Sequence, residues 1–141
     1  MAGTQEFTTV QVNGRNYRIG LIKADVGARL IHKIMFTLNG EKNQEKAKAV
    51  ACGLGGLSTE DDALMQKELL SVVSYETQVG DNVNYIPLFD GEHIFDPSIA
   101  NNPNAFYILQ QASYNVNLLP FFAEENWNAM KSAIQETVNY Q

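Results

Sequence analysis

Apolar and polar positions alternate with a period of two at the start of the chain. Phe7 to Val12 reads as a strand, Asn13-Gly14 as a two-residue turn, and Arg15 to Leu21 as the returning strand. Asn-Gly supplies the positive φ angles of a type I′ turn. That turn sets Val10 opposite Tyr17, Thr8 opposite Ile19 and Val12 opposite Arg15. Val10, Val12, Tyr17 and Ile19 then share one face, the pattern of a half-buried hairpin.

The period changes after Lys23. Asp25 is placed to cap a helix running to about Leu38, with Leu30, Ile31, Ile34, Met35 and Leu38 on one stripe and Arg29 and Lys33 off it. Asn39-Gly40 ends it. Glu41 to Ala51 is rich in helix formers with little apolar face, so a short, mostly exposed helix is expected. Gly53-Leu54-Gly55-Gly56 breaks the chain. Ser58 with Asp61, and Thr59 with Asp62, offer capping-type pairs for a helix running to about Val79. Its inner face is Met65, Leu69, Val72 and Val73, widened by Leu64 and Leu70, so it should be buried on more than one side.

Gly80-Asp81-Asn82 reads as a loop. Tyr85 to Phe89, Asp90-Gly91 and Ile94-Phe95 read as a second hairpin, with Pro87 marking an edge or irregular strand because it lacks an N–H. Asp96-Pro97 and Asn102-Pro103 both resemble an N-cap followed by proline at the first helical position. They predict a short helical turn, then a helix from about Pro103 to Leu118 with Phe106, Leu109, Ser113 and Val116 on one face. Pro120 ends or kinks that helix. Glu124 to Asn139 is the last helix, with Trp127, Met130, Ile134 and Val138 as its stripe. The expectation is one α+β domain over residues 1–141, mainly helical, with four to five helices, an N-terminal β-hairpin and a second mid-chain β-hairpin.

Composition narrows the function. The 141 residues are 45% hydrophobic and 18% charged, enough for one domain with a real core. The net charge of −6 repels phosphate backbones and disfavours nucleic acid. Met1 to Val10 lacks the basic and apolar regions of a signal peptide, and no apolar run approaches the ~20 residues of a membrane helix. A cytosolic protein is expected. The lone Cys52, in a small-residue context, reads as a buried inert thiol.

Candidates for chemistry are thin. His32 and His93 lack a close carboxylate or a second ligand at metal spacing, and read as surface or packing residues. Glu60, Asp61 and Asp62 sit at a helix start, where the helix dipole accounts for them. Gly53-x-Gly55-Gly56 has neither the third Gly of a dinucleotide loop nor the Lys of a P-loop, and reads as a helix–helix connector. Neither catalytic residues nor cofactors are expected. Leu118-Leu119-Pro120-Phe121-Phe122 is the segment of interest. Its two phenylalanines either plug the core or join Leu118 and Trp127 in an apolar patch offered to a partner.

Three landmarks stand in order: the hairpin Val12-Asn13-Gly14-Arg15-Asn16-Tyr17-Arg18-Ile19-Gly20, the segment Tyr85 to Asp96, and Asn115-Val116-Asn117-Leu118-Leu119-Pro120-Phe121-Phe122. Together they resemble the tail assembly chaperones of long-tailed bacteriophages, over about Val10 to Phe122. Pro120 departs from the continuous helix that the likeness would lead one to expect. The resemblance implies a non-enzymatic protein of the host cell cytoplasm, absent from the mature virion, that binds the tape-measure protein and assists tail-tube assembly. It also implies correspondence to the short form, or the N-terminal part, of proteins often made in two lengths. Tail-tube subunits and other copies of the chain are further candidate partners; nucleic acid and membranes are not. The alternative is a structural virion component, a tail-completion or head–tail connector subunit.

Overall fold

The computed structural model describes residues 7–41 and 43–122. The predicted helix at 124–139 and Trp127 lie outside them. Strands β1 (Thr8–Val12) and β2 (Arg15–Ile19) form the first hairpin, in the register Val10↔Tyr17 and Thr8↔Ile19 that the alternation predicts. Asn13 and Gly14 both take positive φ, 53° and 79°, as the turn requires. Tyr17 and Ile19 are fully buried on the inner face.

Helix α1 (Ala24–Thr37) buries Leu30, Ile31 and Ile34, with Met35 and Leu38 half-buried beside them. Its N-cap is Lys23, without a side-chain cap. Asp25 instead lies inside the first turn, where its carboxylate favours the helix dipole. Asn39 and Gly40 terminate the helix, the Gly40 N–H donating to Met35 O at 3.0 Å. Helix α2 (Gln44–Ala51) starts later than expected, capped by Asn43. It is not a mostly exposed helix: Ala47, Val50 and Ala51 are buried. Small side chains let a short helix pack closely, which a search for large apolar residues overlooks.

Helix α3 (Thr59–Leu70) is capped as predicted by Ser58, which accepts from the Asp61 N–H at 3.1 Å. The helix does not reach Val79. It stops at Leu70, and β3 (Val73–Val79) follows almost at once. Val73, Tyr75, Thr77 and Val79 alternate with polar residues, a strand period that wins over helical continuation. Strand β4 (Asn82–Pro87) returns across the Gly80-Asp81 turn, so the mid-chain hairpin lies one strand earlier than the Asp90-Gly91 turn suggested. That later turn closes only a single bridge, Phe89↔Ile94. The Asp90 carboxylate accepts from the Glu92 and His93 N–H groups at 2.8 and 2.6 Å, making a side-chain-bonded turn.

The sheet order is β1-β2-β3-β4, antiparallel throughout, with β4 at an edge as Pro87 requires. Asp96 caps a turn, not a helix. Helix α4 (Pro103–Asn117) begins with Asn102 as N-cap and Pro103 as its first residue, and Pro120 sits in a terminal 3-10 turn, Leu119–Phe122. Its N-terminal half packs Ala105 and Leu109 against Tyr17, Ile19 and Val73 of the sheet. Its C-terminal half carries Tyr114 and Leu118 into a second cluster with Leu30, Ile34, Met65 and Leu69. One helix thus joins two cores, and each large buried side chain contributes about 1.5–3 kcal/mol.

Candidate partner-binding site

The three candidate partner residues that the structure describes, Leu118, Phe121 and Phe122, do not form one surface. Leu118 is fully buried and Phe122 is 2% exposed, both within the helical core, whereas Phe121 remains 46% exposed. In a 3-10 turn successive side chains point about 120° apart, so adjacent phenylalanines must part company. Leu118 and Phe122 are therefore core residues, and Phe121 alone keeps an accessible ring.

Phe121 leads to a larger feature on α1. Ala24, Ala28, His32 and Phe36 recur every four residues on the exposed side of that helix. Phe36 is 86% exposed. A groove of about 440 Å³ runs between this stripe and the end of α4, lined by Leu21, Ala28, Ile31, Val116 and Phe121 among others. A second hollow of about 700 Å³ continues beside His32, Met35, Phe36 and Asn39. His32 borders both, so they form one strip along α1. From Ala24 to Thr37 the helix rises about 20 Å.

Asn117 holds the groove open at a fixed width. Its side-chain N–H donates to Gly20 O at 3.1 Å, and its oxygen accepts from the Ile22 N–H at 2.8 Å. The end of α4 is thereby tied to the chain entering α1. Small residues Ala24, Gly27 and Ala28 make one wall low. Lys23, His32 and Asn117 give a polar rim to an otherwise apolar depression. Another hollow of about 500 Å³ lies elsewhere, where Leu54, Tyr107 and Ile108 are exposed near Cys52. Cys52 is half-buried, and burial raises its thiol pKa, the reverse of a reactive cysteine.

Among the described residues no group of three His, Cys, Asp or Glu could hold a metal. Lys33 donates to Asp61 at 2.8 Å, and that hydrogen bond chiefly lowers the Asp61 pKa. His93 does have a carboxylate neighbour, contrary to its reading from sequence: Asp90 lies 3.2 Å from its Nδ1, on the surface. The backbone N–H groups of His93 and Glu92 hold the Asp90 carboxyl down to about 2. The Gly53–Gly56 connector joins α2 to α3 with the Asp62 carboxylate against Gly53, a poor setting for a phosphate.

The most buried charge is structural. Asp96 is fully buried, accepts from Tyr17 Oη at 2.7 Å and from the Ser98 N–H and hydroxyl, and pairs with Arg15 at 2.5 Å. Burial first, then this bond to Asp96, pushes the Tyr17 pKa up to about 12. The network pins the 88–102 loop to the first hairpin.

The chain matches no protein-family model, no curated protein and no solved structure. Among the described residues no helix is long and apolar enough to cross a membrane. Sequence reasoning missed the α1 strip because it contains one large apolar residue. Its signal was the four-residue recurrence of Ala24, Ala28, His32 and Phe36, opposite the core stripe.

Proposed function

We propose that this chain is a non-enzymatic assembly chaperone of long-tailed phages, working in the host cell cytoplasm on the tape-measure protein and absent from the finished virion. The observation that supports it best is the apolar strip on α1, with Phe36 and Phe121 exposed at its two ends. Its length of about 20 Å equals between three and four turns of a client helix. A helix laid there presents anchors at i, i+3 or i+4, and i+7 to the depressions beside His32. The client's remaining apolar surface is then covered by further copies, each binding weakly, so that avidity along a long rod does the holding. The net charge of −6 keeps the loaded complex soluble.

The test is co-expression with a fragment of a tape-measure protein. The expected result is a larger soluble fraction of that fragment and its co-purification with the chaperone. An unchanged soluble fraction, together with the chain present as a fixed component of purified particles, would instead establish a structural virion protein.

A further inference from the structure

We infer that the outer edge of β4 is a self-association surface, on which a second copy of this chain adds its own β4 antiparallel about a two-fold axis through Asn84. The hydrogen-bond pattern fixes which groups are on offer. Val79 and Asn82 flank the two-residue Gly80-Asp81 turn and form a bonded pair. Bonded and non-bonded pairs alternate from there, and the Leu88 N–H donating to Val73 O at 2.9 Å confirms the phase. Val83 and Tyr85 are therefore in non-bonded pairs with β3, and their N–H and C=O groups point outward. Among the described residues no side chain or backbone group pairs with them across that edge.

One register pairs every outward backbone group of Val83 and Tyr85 with a second copy. Setting Val83 against Tyr85 of the other copy, and the reverse, forms two bonded pairs with Asn84 facing Asn84 on the axis. A shift one way sets Val83 against Pro87, which has no N–H to give. A shift the other way sets Tyr85 against Asp81, in the turn beyond the strand. The edge is also uncharged from Asn82 to Pro87, in a chain of net charge −6. Two acidic copies can approach there without opposing charges; neither a lysine nor an inward charge stands on the strand, and Pro87 guards only its C-terminal end. The result is a continuous eight-stranded sheet, leaving the α1 strip of each copy uninvolved. The inference needs no client, so it stands or falls apart from the proposed function.

The experiment is position-specific cross-linking of the full chain in a Cys52→Ala background. Asn84→Cys places two thiols in facing positions, within disulfide range, and mild oxidation is expected to trap most of the protein as a covalent dimer. Asn82→Cys places them about 13 Å apart and is expected to trap almost none. Asn84→Lys, at an exposed position that leaves the fold intact, sets like charges face to face and is expected to raise the dimer dissociation constant about fivefold by sedimentation. Equal cross-linking at the two positions, or a wild-type chain that remains monomeric up to about millimolar concentration, overturns the inference.

Discussion

The Tyr17 hydroxyl donates to the carboxylate of Asp96 across 2.7 Å, joining residues 79 apart in the chain. The bond spans the first hairpin and the loop between β4 and α4. Arg15 and Ser98 complete the shell around the same carboxylate. Asp96 thereby anchors the loop that follows the second hairpin to the first one.

Asp96→Ala is expected to cost about 2–4 kcal/mol, because it strands the buried Tyr17 hydroxyl and the Ser98 donors. Arg15, about one-third exposed, recovers part of its hydration, which keeps the loss below that of a wholly buried pair. Asp96→Asn keeps an acceptor and should lose less. Chemical denaturation of both variants gives the comparison; equal losses would mean that the charge carries the whole effect and the retained amide acceptor contributes nothing.

Tyr114 has the opposite character. It is fully buried and its hydroxyl lacks a hydrogen-bond partner. Tyr114→Phe should be neutral or stabilising by up to about 1 kcal/mol, whereas Tyr17→Phe should destabilise by a similar amount. Burial, with a smaller contribution from Cys52, raises the Tyr114 pKa to about 12. The unfolded chain ionises near 10, so between pH 10 and 12 it holds fewer protons than the folded chain. Stability is therefore full below pH 10 and falls as pH rises toward 12. Melting curves across that range should show a shallower decline in Tyr114→Phe than in the wild type.

Gly56 should tolerate no side chain. Its φ is 93°, and a Cβ would lie 2.4 Å from Thr37 Cγ2. Thr37 cannot readily turn aside, since its hydroxyl donates to Lys33 O at 2.8 Å. Gly56→Ala should lose about 2–3 kcal/mol, from backbone strain plus displacement of the α1 end. A midpoint within error of the wild type in urea would show that the connector can re-form.

Legibility in the sequence followed how locally each feature is determined. The first hairpin was readable in register because Asn13-Gly14 permits one turn type. The ends of α4 were readable because Asn102-Pro103 and Pro120 act within one helical turn. The boundary between α3 and β3 was not. Leu69, Leu70, Val72 and Val73 are apolar in succession, so the helical stripe runs into the strand, and only the later alternation of Tyr75, Thr77 and Val79 marks the change. Asp90-Gly91 drew the second hairpin toward it, although its carboxylate was engaged in a local turn. The site was half readable. Phe121 was picked out, but whether it or Phe122 turns inward depends on the 3-10 geometry that follows Pro120. The Phe36 end of the strip carried only the four-residue recurrence of Ala24, Ala28, His32 and Phe36, in which a single large apolar residue stands.

That division gives the sharpest mutational contrast for the proposed client site. Phe122→Ser and Leu118→Ala remove buried groups and should each cost about 3 kcal/mol or more, lowering client solubility only because the chaperone itself unfolds. Phe36→Ser and Phe121→Ser alter exposed rings and should change stability by no more than about 0.5–1 kcal/mol. Each should nonetheless reduce the co-purified tape-measure fragment, and the double substitution should abolish it, because a bound helix loses an anchor at either end of the strip. Circular dichroism melts paired with pull-down yields separate the two classes. If Phe36→Ser and Phe121→Ser bind the fragment as well as the wild type does, the α1 strip is not where the client sits. The exposed Leu54–Tyr107–Ile108 hollow then becomes the surface to probe.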